Sequence, residues 1–246
     1  MRTLVFTKRC LREIIRDPLT LIFGAGFPVI LLILLSVMNL NIPAEAQMTM
    51  FQIENLLPGV VVFGFSFLAL FGGLLLAGDR DTAFLTRLFT SPLRARDFIA
   101  GYALPLFPVG LAQAVLCILI GFAFKLSLTA HLFTMLLFLI PSMLLFIGLG
   151  LLLGSLLNFR QVGSICGALL TNVSAWLSGT WFSLDLLGEG FKIFAHCLPF
   201  ANAVDAARAA LAGDFTSALG YIWIVCVYAA LACGGAILVF RKKMKA

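Results

Sequence analysis

Asp79–Asp97, DRDTAFLTRLFTSPLRARD, is the stretch on which the reading of this chain turns. Asp79, Asp81, Asp97, Arg80, Arg87, Arg94 and Arg96 crowd into it, and long apolar runs flank it on both sides. The spacing predicts an amphipathic helix from Thr82 to Ser91. At about 100° per residue Phe84, Leu85, Leu88 and Phe89 share one side, with Thr86, Arg87 and Thr90 opposite. Asp79 or Asp81 can cap the helix start by accepting from free backbone amides. Pro92 stops it, because the residue before a proline avoids helical backbone angles. A short helix with such an apolar face either lies on lipid headgroups or docks into a soluble partner.

Outside this stretch the chain is oily. Its 246 residues are 62% hydrophobic and 11% charged, and the mean hydropathy is +1.10. A soluble domain is about 45–50% apolar and about 25% charged, so the composition excludes that class and predicts an integral membrane protein. The net charge of +6 does not point to nucleic acid; its meaning lies in where the cations fall relative to the spans. A long charged segment precedes the first apolar run without a small-residue cleavage site, which argues against a cleaved signal.

The expected fold is all-α, with six transmembrane helices at 19–40, 53–77, 98–124, 132–157, 162–182 and 219–240, each near the roughly 20 residues that cross a hydrocarbon core. Residues 1–18 precede them as an interfacial helix. Leu4, Cys10, Leu11, Ile14 and Ile15 gather on one arc, and Lys8, Arg9, Arg12, Glu13 and Arg16 on the other; Val5 and Phe6 fall outside this pattern. Such a basic helix suits the headgroup layer of an anionic leaflet. With six spans, all of the 17 Lys and Arg except Lys125, Lys192 and Arg208 fall on the side that holds both termini and 79–97. The positive-inside rule makes that side cytoplasmic. Segment 183–216 is too apolar for a solvated loop. It reads as two short helices around Pro199, with Asp205 and Arg208 on one turn, either dipping back into the outer leaflet under protein cover or lying on the membrane.

No catalytic constellation is evident. No glycine is followed by lysine and then Ser or Thr, so a phosphate-binding P-loop is absent from the sequence. Cys10, Cys117, Cys166, Cys197, Cys226 and Cys233, with His131 and His196, show no metal-ligand spacing. The central parts of the spans carry essentially no charge, which argues against a proton-coupled carrier. What the spans offer is small and weakly polar: Ser164, Gly167, Thr171, Ser174 and Ser178 share roughly an 80° arc at helical spacing. Gly163 with Gly167, and Gly150 with Gly154, have the spacing for close helix approach. Phe63, Phe67 and Phe71 form an i, i+4, i+8 stripe. Ser164, Thr171, Ser174, Ser178 and the stripe either pack or line a pathway for an amphipathic cargo. Gly72 and Gly73 are a candidate point of bending.

Taken together, these pieces resemble the membrane subunit of type-2 ABC exporters over nearly the whole chain. Arg16-Asp17-Pro18 with Pro28 is similar to the pattern that leads into the first span. Arg80-Asp81-Thr82-Ala83-Phe84-Leu85-Thr86-Arg87-Leu88-Phe89-Thr90-Ser91-Pro92-Leu93 resembles the coupling-helix signature, with Asp79 and Asp81 where the family more often has glutamates. Leu198-Pro199-Phe200 and Ala203-Val204-Asp205-Ala206-Ala207-Arg208 resemble the motif before the last span. The resemblance implies a multi-pass inner (plasma) membrane protein, a homodimer that joins two copies of a separate cytoplasmic ATP-binding subunit and contacts membrane lipid but no nucleic acid. ATP and Mg would sit on that partner, and this chain would bind no cofactor. Arg80, Asp81, Phe84, Leu85, Leu88, Phe89, Pro92 and Leu93 would touch the ATPase. The cargo would be a drug, natural product, lipid or lipid-linked glycan. A passive channel or small secondary carrier is the alternative, in which 79–97 is an ordinary positive-inside loop.

Overall fold

The computed structural model describes residues 2–43, 49–82 and 94–244, and among these every regular element is helical. In chain order they are α1 (Arg2–Arg16), α2 (Pro18–Leu40), α3 (Ile53–Asp81), α4 (Ala95–Ala123), α5 (His131–Leu156), α6 (159–177), α7 (Glu189–Cys197), α8 (Pro199–Ala212) and α9 (Phe215–Lys243). Five of them, α2, α3, α4, α5 and α9, are long and apolar enough to cross a membrane. The segment expected as a further span, α6, is a continuous helical run but falls outside those five. Arg160, Gln161 and Asn172 dilute its hydropathy; it also contains a π turn at Ile165–Leu170, as α2 does at Ile22–Gly26.

Helix α3 is the centre. It is buried over most of its length, and α2, α4, α5, α6 and α8 pack around it. Helix α9 covers α5 and α8. The core continues along the whole bundle, from Phe6, Phe98 and Phe240 at one end to Leu126, Leu132 and Ala210 at the other. The end that carries α1, Asp79, Arg94 and Lys243 is called the charged end below.

Local chemistry explains the boundaries. Asp17 caps α2 by accepting from the Leu19 amide at 3.0 Å and the Thr20 hydroxyl at 2.6 Å, and Pro18 takes the first helical position, where its missing N–H costs nothing. Pro105 and Pro108 remove amide donors from α4, which is interrupted at Leu104–Pro105. Asn158 and Gln161 cap α6 reciprocally. Pro199 starts α8, and Gly213 ends it in the left-handed region (φ 83°). A Cβ there would run into the His131 ring.

The expectation for α1 changes. Helix α1 does not simply rest on headgroups: it packs on the start of α4 through Phe6, Cys10 and Ile14, which are buried, while Leu4, Val5 and Ile15 face outward. Phe6 stands edge-on to Phe98 (5.6 Å) and Tyr102 (4.9 Å) and covers Gly101, whose missing side chain makes the room. The apolar surface of α1 is therefore split between a buried side and an exposed one, which is why Phe6 fell outside a single arc. Gly72 and Gly73, the candidate point of bending, are closely packed. Helix α3 runs unbroken through them, with Leu106 against Gly72 and the Gly150 backbone against Gly73.

Segment 183–216 does form two helices around Pro199. Helix α8 is alanine-rich and buried along the face that meets α3, α5 and α9, whereas α7 leaves Ile193 and Phe194 exposed. The second helix of the pair is thus inside the bundle and the first outside it.

Candidate functional site

The charged end of α3 leads directly into 79–97 and is held by side chains from two other helices and by the backbone of two more. Helix α3 extends to Asp81, past the expected end of the span at 77. The Asp79 carboxylate accepts from both guanidinium nitrogens of Arg9, one of them at 2.8 Å, and from the Tyr102 hydroxyl at 2.7 Å. It is 7% exposed, and these three hydrogen bonds satisfy its oxygens in that buried position. Its bond to Asp79 holds the Arg9 guanidinium well above its ordinary range. Glu13, 3.0 Å from Arg9, is pushed up by burial, with Arg9 opposing the shift.

Arg80 turns the other way. One guanidinium nitrogen donates to the carbonyls of Gly154 (2.6 Å), Ser155 (2.7 Å) and Leu157 (3.2 Å). These are orphan acceptors at the C-terminus of α5, where a cation is favoured by both hydrogen bonding and the helix dipole. The Asp81 carboxylate accepts from the Phe159 amide at 3.3 Å, at the N-terminus of α6. Three consecutive residues of α3 therefore grip α1 and α4, then α5, then α6. Of the two expected cap carboxylates, Asp79 has both oxygens engaged by Arg9 and Tyr102. Thr82 is extended, and Phe84, Leu85, Leu88, Phe89, Pro92 and Leu93, with the expected helix around them, lie outside the described residues.

The aromatic stripe lies along the flank of α3 between α2 and α6. Phe63 is buried against Trp181 (5.3 Å), and Phe67 stands edge-on to Phe27 (5.4 Å). Phe67 and Phe71 are half-buried. Phe71 continues into a cleft of about 460 Å³ at the charged end, which it shares with Glu13, Asp17, Leu74 and Phe159.

The small polar residues of α6 separate. Ser164 is exposed and donates to the Arg160 carbonyl (3.2 Å), while Thr171, Ser174 and Ser178 are buried and donate to the carbonyls of Cys166 (2.9 Å), Thr171 (2.9 Å) and Ala175 (3.0 Å). The π turn explains the split: its wider winding rotates everything after it relative to Ser164, breaking an arc drawn at constant pitch.

At the opposite end Arg208 donates to the carbonyls of Asn55 (3.0 Å) and Gly179 (3.1 Å) and sits 3.5 Å from Asp205, which also faces His196 at 3.0 Å. The i, i+3 spacing pointed to the Asp205–Arg208 pair. Arg9, Tyr102 and Phe6 had no such signal, since they meet only through the docking of α1 on α4. Among the described residues no group of His, Cys, Asp and Glu could hold a metal ion.

A comparison with curated proteins finds no match. The family described as ABC-2 type transporter matches residues 1–212, that is α1 through α8. A chain of long apolar helices matched over that length belongs to the ABC-2 type transporter family, as its membrane-spanning, non-catalytic subunit.

Proposed function

We propose that this chain is the transport subunit of an ATP-driven exporter that moves a hydrophobic or amphipathic cargo outward. Membership of the family implies a separate ATP-binding partner. In this reading two copies of the chain meet two copies of that partner at the plasma membrane. Helix α6 is the sixth span, which returns the chain so that both termini and 79–97 face the cytoplasm. That topology also puts the cations on the inner side, as charge bias requires. ATP and Mg reside on the partner.

The observation that carries the reading is the grip at the end of α3. A partner that displaces 79–97 pulls on Asp79, Arg80 and Asp81, and through them on α1, α4, α5 and α6 together. A lever needs such rigid attachment, whereas an ordinary loop does not. The cargo path runs along Phe63, Phe67 and Phe71 and past Thr171, Ser174 and Ser178, with Ser164 on another side of α6. The hydroxyls of α6 are already bonded to its own backbone, so this wall offers mainly methyl and methylene surface, which suits an amphipathic cargo better than a small ion.

Phe84, Leu85, Leu88 and Phe89 provide the apolar face seated in the ATPase, with Pro92 and Leu93 at its edge. Burying one such side chain stabilises by about 1.5–3 kcal/mol. Leu88→Asp is expected to release the ATPase while the chain stays folded in detergent. Unchanged co-purification of the two subunits with this variant would rule the docking out.

A further inference from the structure

We propose that a hollow at the charged end, between the start of α4 and the end of α9, holds the phosphate of an anionic membrane lipid. The hollow measures about 510 Å³ and is lined by Arg94, Ala95, Arg96, Ile237, Arg241 and Met244. Three arginines, from the start of α4 and the end of α9, share its lining with the apolar side chains of Ala95, Ile237 and Met244. All three arginines are exposed. Asp97 stands 4.0 Å from Arg96 and spends its other oxygen on the Arg94 amide at 3.0 Å. Among the described residues no other carboxylate pairs with the three cations.

The height of the hollow selects a lipid. Helix α9 changes there from apolar to basic, Ile237-Leu238-Val239-Phe240 giving way to Arg241-Lys242-Lys243, and α4 changes in the opposite sense from Arg94 and Arg96 to Phe98 and Ile99. Both helices thus cross from headgroup to hydrocarbon at the same level. Leu238, on the turn beside the hollow, is 62% exposed and offers a surface along which an acyl chain can run. Guanidinium forks match phosphate oxygens in pairs, and a low-dielectric floor strengthens those bonds. A free phosphate would satisfy the arginines but leave Ile237, Met244 and Leu238 uncovered. A lipid satisfies both.

The site rests on the proposed topology only for naming its leaflet. Its test uses the chain purified from membranes in detergent and exposed to equal amounts of phosphatidylglycerol and phosphatidylcholine, with retained lipid counted by native mass spectrometry. The wild type is expected to hold one phosphatidylglycerol per chain in preference to phosphatidylcholine. Replacing Arg94, Arg96 and Arg241 together by Gln should lower that retention about 100-fold, at about fivefold for each cation near a lipid surface. Lys125→Gln, at the other end of the bundle, should leave it unchanged, and the thermal melt of each variant checks the fold. Equal retention by the wild type and the triple variant overturns the proposal. So does displacement of the lipid by millimolar inorganic phosphate, which would make the occupant a soluble anion. Loss of ATPase co-purification in the triple variant with retention unchanged also overturns it, by assigning the arginines to the subunit contact. Loss of retention with the ATPase still bound supports the site independently of the docking model.

Discussion

Helices α5 and α6 both pack on α3, and each brings a pair of glycines four residues apart, yet the two contacts are built differently. At Gly150 and Gly154 the backbones touch. A Cβ on Gly150 would overlap the Ala69 carbonyl, and one on Gly154 would come to 2.6 Å from the Gly73 carbonyl oxygen. At Gly163 and Gly167 a Cβ would meet only the ends of Leu74 (3.9 Å) and Leu70 (3.6 Å), which is ordinary contact. The first crossing is fixed by main chain, which cannot yield. The second is cushioned by flexible leucine tips and belongs to a helix with a π turn in it. The same spacing therefore marks a rigid joint in one place and a compliant one in the other. Of these two neighbours of α3, α6 is the one that can shift with less repacking at its glycines.

The comparison breaks if alanine is tolerated equally at the two joints. Gly150→Ala is expected to force α3 and α5 apart at a cost of about 1–3 kcal/mol or more, seen as a large drop in the melting temperature of the detergent-solubilised chain. Gly167→Ala should stay within about 0.5 kcal/mol of the wild type.

A second contrast lies one helical turn beyond the glycines. Arg80 ties α3 to α5 through three carbonyls, and Asp81 ties it to α6 through one exposed amide. Arg80→Gln should cost about 1–2 kcal/mol, since bonds from a charged donor are each worth more than neutral ones and this side chain is only partly shielded. Asp81→Asn should leave the melt almost unchanged. Equal losses from the two substitutions would show that α6 is held as tightly as α5.

The smallest effect concerns the π turn. Thr171→Val keeps the shape but removes the hydroxyl donated to the Cys166 carbonyl, which also accepts from the Thr171 amide. The expected change is about 0.5–1 kcal/mol, with a rise in amide hydrogen exchange confined to 165–171. Faster exchange spreading along the whole of α6 would mean that this bond, not the tertiary contact, holds the helix together.

Much of the fold was legible because membrane spans announce themselves by length and hydropathy. Gly150 with Gly154 read correctly as a close approach, and Asp205 with Arg208 as a pair on one turn. Other readings failed for a stated physical reason. The α6 arc assumed a constant pitch that the π turn breaks. Phe6 looked misplaced on α1 because one helix serves two apolar surroundings. Beyond these, the side chains of Arg80 and Asp81 reach the ends of α5 and α6, a role that the pattern did not carry. The pattern around them shows charge and spacing, but not which helix termini lie within reach.

The sequence by itself determined an all-helical membrane protein with most of its cations in a few segments outside the apolar runs, because hydrophobic run length and cation bias are properties of the chain read locally. The tertiary structure decided which glycines touch backbone, which carboxylate meets Arg9, and that α8 is buried while α7 is not. Those outcomes depend on how separate helices are rotated and stacked against one another, and a rotation of one helix changes every partner along its face without altering a single local signal.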